Sequence, residues 1–300
     1  MIRLSLIIAT YNRAEPLSNA LRSVIGQTAP ATTWECVVVN NNSTDDTAER
    51  FAAFQATYPD FNLRLVHESK QGLSSARNRG IVESKGSYIA IIDDDERINP
   101  DFIAAYIAFF DAYPDAMAAG GKVIPEYKAG RPRWMSCYTE QPIANPMDWG
   151  DLICVFPAGH IPAGGNMAFR RTALVRYGVF DPTLGRSGKS LIGGEESDLF
   201  ERLARAGEQA WYLPQAVIWH IIPPEKLTEA YFDRLCFQVG VSQRRRAELY
   251  NRVRRLFFSE GCKWIITLLL SAFYCILFRF SKARYLLKMR YQITAGLTQK

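Results

Sequence analysis

Short continuous apolar runs alternate with stretches whose apolar residues return every three or four positions, and the alternation repeats four times before residue 113. The continuous runs, "LSLIIAT" at 4–10, "ECVVVN" at 35–40, "NLRLVHE" at 62–68 and "SYIAIID" at 87–93, read as strands, the first of them typical of burial on both faces. The periodic stretches read as helices. At 16–27, Leu17, Leu21, Val24 and Ile25 recur at helical spacing. At 43–58, Ser43 or Thr44 is the expected N-cap, with acids in the first turn. The helix at 73–85 is stopped by Gly86, and the one at 100–113 opens on Pro100. Repeated β-α units of this length predict an α/β fold: a mixed, mainly parallel sheet with right-handed crossovers, flanked by helices.

Ligands of such sheets bind beyond the carboxyl ends of the strands. Three polar clusters fall on that edge: Thr10 to Arg13 after the first strand, Asn40 to Asp45 after the second, and Asp93, Asp94, Asp95 and Glu96 after the fourth. Four consecutive acids repel one another and are costly to bury unpartnered. A divalent cation at the strand end would neutralise them and bridge to phosphates; a solvated turn before a helix is the plainer alternative. Neither GxGxxG after the first strand nor GxxxxGK[ST] anywhere occurs, so Rossmann dinucleotide binding and P-loop transfer lack their fingerprints.

Composition adds one asymmetry. The formal charge is +6, but residues 221–300 hold 15 Lys+Arg against 5 Asp+Glu, leaving 21 against 25 before them. A basic final region of this kind faces phosphates of a membrane or a nucleic acid. The six cysteines show no CxxC or CxxxH spacing and sit mostly in apolar stretches, which fits reduced thiols and a cytosolic setting better than zinc or disulfides. The apolar run after Arg3 is too short for a signal-peptide core.

Six stretches in order, "SLIIATYNRAEPLSNALRSVIGQT", "VVVNNNSTDDT", "GLSSARNRGI" and "YIAIIDDDE", then "GGNMAFRR" and "GGEESDLFERLARAG", resemble the motifs of inverting family-2 glycosyltransferases with the GT-A fold, across roughly residues 1–220. The resemblance implies that Asp93, Asp94 and Asp95 form a DXD-type motif holding Mg²⁺ or Mn²⁺ against the diphosphate of a nucleotide-sugar. Asp95 is then the direct metal contact, with Asp93 nearer the ribose and metal-bound water, and His220 completes the metal shell. It also implies nucleotide contacts from Thr10, Tyr11, Asn12, Arg13 and Arg77. Asn40 departs from the family's usual Asp at the base-contacting position, and an amide both donates and accepts where a carboxylate only accepts.

The second acid cluster, Glu195, Glu196 and Asp198, opens a helix with a buried stripe of Leu199, Phe200 and Leu203. Read on its own, it is a set of first-turn acids favoured by the helix dipole. By resemblance, Glu196 is the base that deprotonates the acceptor hydroxyl, with Glu195 supporting the acceptor and Asp198 the rival base.

The last part of the chain reads as one or two amphipathic helices with Arg244, Arg245, Arg246, Arg252, Arg254 and Arg255 on wet faces, followed by the uncharged run 264–278. Fifteen residues make a helix of about 22 Å, short of a hydrocarbon core of about 30 Å. A helix pair on or in an anionic cytoplasmic leaflet fits better than a span; a buried helix or a dimer contact is the alternative.

The expected organisation is a catalytic domain at 1–225, with a nucleotide-binding half at 1–100 and an acceptor half at 101–225, and a basic membrane-associating helical tail at 226–300. The expected activity is metal-dependent transfer from a nucleotide-sugar to a saccharide or lipid-linked saccharide, in polysaccharide or glycoconjugate assembly, by an enzyme peripheral or monotopic on the cytoplasmic face of the cell membrane. No nucleic-acid partner is expected. A sugar nucleotidyltransferase and a non-catalytic nucleotide-sugar-binding membrane protein are the competing readings.

Overall fold

The computed structural model describes residues 1–188 and 190–299. The β-α rhythm runs β1 (Leu4–Thr10), α1 (Ala14–Ile25), β2 (Trp34–Asn40), α2 (Thr47–Thr57), β3 (Leu63–His67), α3 (Leu73–Glu83) and β4 (Tyr88–Asp93). Then follow β5 (Glu96–Ile98), α4 (Phe102–Ala112), β6 (Ala118–Tyr127), α5 (Cys137–Ala144), β7 (Cys154–Val155), β8 (Met167–Arg170), α6 (Arg171–Tyr177), α7 (Glu195–Arg205) and β9 (Ala210–Ile222). Three long helices, α8 (Glu229–Leu249), α9 (Val253–Ile276) and α10 (Phe280–Thr298), close the chain.

Among the described residues the strands form one sheet in the order β3-β2-β1-β4-β8-β6-β9-β5, with β7 also on β9. β1 pairs parallel with β2 and β4, and β2 with β3, whereas β8 runs antiparallel to β4 and β6, and β5 to β9. Strand order reverses direction at β1, with β2 and β3 on one side and β4 on the other. That is the switch point where a crevice opens at the carboxyl ends.

Two compact units divide the chain: residues 1–124, 147–183 and 195–221 form the first, and residues 125–146, 184–194 and 222–300 the second. In the first unit the strands alternate their side chains between two cores. Leu4, Leu6 and Ile8 pack with Leu17 and Leu21 of α1, Phe51 of α2 and Phe102 and Tyr106 of α4. Ile7, Ile89 and Ile91 pack on the opposite face with Ile81 of α3, Leu174 of α6 and Leu199 and Phe200 of α7. Because both faces are covered, the strands are apolar at nearly every position, which is why the sequence reads as runs and not as alternation.

One expectation shifts. α2 begins at Thr47, not near Ser43, and its N-cap residue Asp46 makes no side-chain cap. Ser43 and Thr44 are used elsewhere: the Asn12 amide donates to Ser43 Oγ at 3.0 Å, and the Thr44 amide donates to Asn12 Oδ1 at 2.6 Å. These residues tie two loops together instead of starting a helix.

The second unit buries Ile143, Phe232, Leu235, Leu286, Met289 and Ile293, with Trp134 stacked on Tyr285 at a centroid distance of 4.1 Å. α9 takes in both the arginines at 254 and 255 and most of the uncharged run, so amphipathic and apolar stretches expected as separate helices are one.

Candidate active site

The parallel register sets the site. Thr10 pairs with Asn40 across β1 and β2, and Ala9 pairs with Asp93 across β1 and β4, so three strand ends finish level and deliver their polar loops to one edge. Thr10 Oγ1 donates to Asp94 Oδ2 at 2.8 Å. Arg13 reaches over the turn with Nη1 at 3.1 Å from Asp94 Oδ1 and Nη2 at 3.0 Å from Asp95 Oδ2. Antiparallel pairing places Glu96 of β5 opposite His220 of β9, and the Ile221 amide donates to the Asp95 carbonyl at 2.9 Å. That pairing brings His220 Nε2 to 3.8 Å from Asp95 Oδ2.

Arg77 is the centre of the arrangement. It projects from α3, is 1 % exposed, and sends Nη2 to Asp93 Oδ1 at 2.9 Å and to the Gly164 carbonyl at 3.1 Å. Its Nη1 contacts Glu196 Oε1 at 2.8 Å and Glu195 Oε1 at 3.2 Å. One guanidinium thus spans both acid clusters, although about a hundred residues separate them in sequence. Gly164 and Gly165 make room for this. A Cβ at Gly164 would lie 2.1 Å from Glu196 Oε1, and one at Gly165 would lie 1.9 Å from Glu96 Oε1, so only glycine lets the backbone pass so close to the carboxylates.

The electrostatics are unbalanced. Asp93, Asp94, Asp95, Glu96, Glu195 and Glu196 converge on Arg13 and Arg77, six carboxylates against two guanidiniums, and four of the six are buried. Burial pushes Asp94 up to about 7 despite Arg13, and burial with the neighbouring Glu196 pushes Glu195 up to about 8 despite Arg77. Glu96 is raised well above the carboxylate range by burial and then by Asp93 and Asp95. Burial pulls the Arg77 guanidinium down, but Asp93, Glu196 and Glu195 more than offset it. Glu195 Oε2 and Arg77 Nε are buried with no hydrogen-bond partner.

A hard divalent ion fits this donor chemistry in a particular way. Among the described residues no three His, Cys, Asp or Glu side chains are grouped to hold a metal by themselves. Asp95 and His220 supply an oxygen and a nitrogen at close quarters, with Asp93 nearby in the same turn. Mg²⁺ and Mn²⁺ accept such partial protein coordination when phosphate and water complete the shell.

The other expected residues divide. Tyr11 is exposed, Asn12 holds the 43–44 loop with a φ of +52°, and Asn40 Oδ1 accepts the Ser43 amide at 2.8 Å, so this amide's oxygen shapes its own loop. Asp198 is turned along its own helix, where Arg202 donates to Oδ2 at 2.9 and 3.0 Å. Arg79, which the sequence places two residues on and so on the opposite side of α3 from Arg77, pairs with Glu83 on the exposed side of that helix.

Three residues turn out to have structural roles that the sequence reading did not assign them. Glu96 accepts the Asp93 amide at 2.9 Å from inside the sheet, and the Gly164 carbonyl anchors Arg77. Asn166 is fully buried, donating to the Lys122 and Ala216 carbonyls and accepting from Tyr106. The "GGN" stretch was a visible signal for the last two; nothing local marked Glu96 as buried.

Comparison with known proteins gives the family and the fold. The model for "Glycosyl transferase family 2" matches residues 5–178. The glucosyl-dolichyl phosphate glucuronosyltransferase of Haloferax volcanii is 28% identical over 249 residues, covering 79% of this chain and 74% of that protein. The succinoglycan biosynthesis protein ExoM of Rhizobium meliloti is 27% identical over 236 residues, covering 78% and 71%. Among solved structures, the mannosyltransferase PcManGT from Pyrobaculum calidifontis, in complex with GDP-Man and Mn²⁺, superposes with a TM-score of 0.61 at 19% identity, covering 97% of this chain and 87% of that one. The fold is therefore of the GT-A type.

Proposed function

Because the chain belongs to glycosyl transferase family 2 and is a glycosyltransferase, we propose that it is an inverting, divalent-cation-dependent enzyme that moves a sugar from a nucleotide-diphospho-sugar to an acceptor hydroxyl. The observation that carries this reading is the single guanidinium of Arg77 touching Asp93 of one acid cluster and Glu195 and Glu196 of the other. Donor-side and acceptor-side carboxylates share one cleft.

Asp95, Asp93 and His220 would hold Mg²⁺ or Mn²⁺, whose positive charge would stabilise the diphosphate as it departs. Thr10, Tyr11, Asn12, Arg13 and Asn40 line the nucleotide side, and Asp94 is held by Thr10 and Arg13 so that the turn keeps its shape. Glu196, whose side chain is 21 % exposed and reaches the cleft from the first turn of α7, takes the proton of the acceptor hydroxyl. The acceptor oxygen bonds to the anomeric carbon as the bond from that carbon to the diphosphate breaks on the opposite side, which inverts configuration. Glu195, buried beneath, orients Glu196 through Arg77.

Acceptors are saccharides or lipid-linked saccharides, a class supported by the dolichyl phosphate and succinoglycan named in the two relatives. The basic C-terminal region supports work at the cytoplasmic face of the cell membrane. Screening UDP-, GDP- and dTDP-sugars for thermal stabilisation with and without Mn²⁺, alongside nucleotide release, tests the assignment. One donor should stabilise the protein only when the metal is present. Stabilisation by every donor in EDTA, with no nucleotide released, would reject cation-dependent transfer.

A further inference from the structure

α9 is built inside out. Its buried residues are Glu260, Thr267 and Ser271, all polar, while Phe258, Ile265, Leu268, Leu269, Phe273 and Ile276 are exposed, Leu269 at 68 % and Ile276 at 73 %. At about 100° per residue these six fall on one side of the helix and the three polar residues on the other. A helix facing water arranges its residues the other way round.

On the polar side, Glu260 and Thr267 are satisfied within the second unit, whereas Ser271 Oγ is buried without a hydrogen-bond partner. Arg290 of α10 places Nη1 at 3.0 and 3.1 Å from the two carboxylate oxygens of Glu260, and Thr294 Oγ1 donates to Glu260 Oε1 at 2.8 Å. Trp264 Nε1 in turn donates to Thr294 Oγ1 at 2.9 Å, and Arg290 Nε to Thr267 Oγ1 at 3.4 Å. These contacts make α9 and α10 an antiparallel hairpin that reverses around Phe278, which has a φ of +54°. Both ends of the outer face are cationic, with Arg252, Arg254 and Arg255 at one end and Arg279 and Lys282 at the other. Glu260 is the sole acid between residues 250 and 300, and it is buried, so the charge offered outward is positive throughout.

We propose that this face seats α9 lengthwise in the boundary between headgroups and acyl chains of an anionic phospholipid bilayer, parallel to its surface and not across it. An apolar strip of this extent flanked by cations matches acyl chains and anionic headgroups together. By length and composition α9 is long and apolar enough to cross a membrane. Its partner argues against that placement. α10 returns beside α9 and carries Lys282, Arg284, Lys288 and Arg290, and Arg284 and Lys288 are tied to Glu229 and Asp233 of α8 in a partly exposed ion cluster. A span would drag that cluster toward hydrocarbon. The inference concerns the second unit alone and holds whichever sugar the first unit transfers.

Flotation of the full chain with vesicles of phosphatidylcholine, with and without phosphatidylglycerol, tests it. Binding should require the anionic lipid, and Leu269→Glu with Ile276→Glu should weaken it by at least about tenfold, leaving circular dichroism and donor turnover in solution unchanged. Cys262 and Cys275 are exposed on α9 and lie about 20 Å apart along its axis. A fluorophore on either one, in a chain lacking the other cysteines, should be quenched best by lipids brominated at shallow depths that differ by less than the width of the helix, about 10 Å. A difference in depth between the two positions approaching their full axial separation of about 20 Å would mean a crossing helix and overturn the proposal. So would absence of vesicle binding together with a dimer in solution that the two substitutions dissolve, which would give the face to a second copy of the chain.

Discussion

The two units break the ordinary rule of apolar inside and polar outside in opposite directions. The first hides charge: six carboxylates and two guanidiniums occupy the end of a sheet otherwise filled with Ile, Val and Leu. The second displays oil: α9 turns Ile, Leu and Phe outward and keeps a glutamate within. Each inversion has an energetic cost in the isolated chain, because burying more acids than guanidiniums and exposing an apolar strip are both unfavourable. The difference between them lies in the complement each awaits. On the proposed reading, a divalent cation would offset the acid cluster, and acyl chains would cover the apolar strip.

The largest effect that could break this contrast is at Arg77. Arg77→Gln leaves buried carboxylates without their shared partner and should cost about 3–5 kcal/mol in urea denaturation, with transfer lost. Retained stability would mean the cluster is less charged than its geometry implies. Next comes Glu196→Gln, which should lower transfer about 10²–10⁴-fold at an unchanged unfolding midpoint. If Asp198→Asn proved the more damaging to turnover, the proton-accepting role would pass to Asp198.

In the second unit, Glu260→Gln keeps the size but weakens the pairing with Arg290. It should cost about 1–3 kcal/mol while nucleotide-sugar binding, read by calorimetry, stays as it was. A further effect is a slope. The Glu195 carboxyl is raised from 4.5 to about 8 in the folded chain, so folding holds its proton more tightly. Its contribution is present at low pH and is lost as pH rises from about 4.5 toward about 8. Glu195→Gln should flatten the fall in stability over that window, measured by denaturation at several pH values.

Much of the first unit was legible because double burial leaves strands uniformly apolar and because the loops at their ends carry the polar residues. The placement of α2 was not, since Ser43 and Thr44 have good capping chemistry that Asn12 claims from another loop. Glu96 was read as one of four turn acids; only the pairing of β5 with β9 reveals it as an interior group. Asp198 and Glu196 are two positions apart, and the sequence could not say which faced Arg77 and which faced Arg202. In α9 the apolar run was plain, yet its outward direction depends on where Arg290 and Thr294 stand in α10, a long-range fact that hydropathy does not encode.

One short strand opposite β9 in the first unit, β5, has a disproportionate effect. Three residues, Glu96 to Ile98, match His220, Trp219 and Ile218 one for one. Adding or deleting a single residue between Asp93 and Ile98 would turn every following side chain of that ladder to the other face and carry the imidazole away from the aspartates. This segment acts as a ruler: point changes within it are open to compensation, but a change in its count is not.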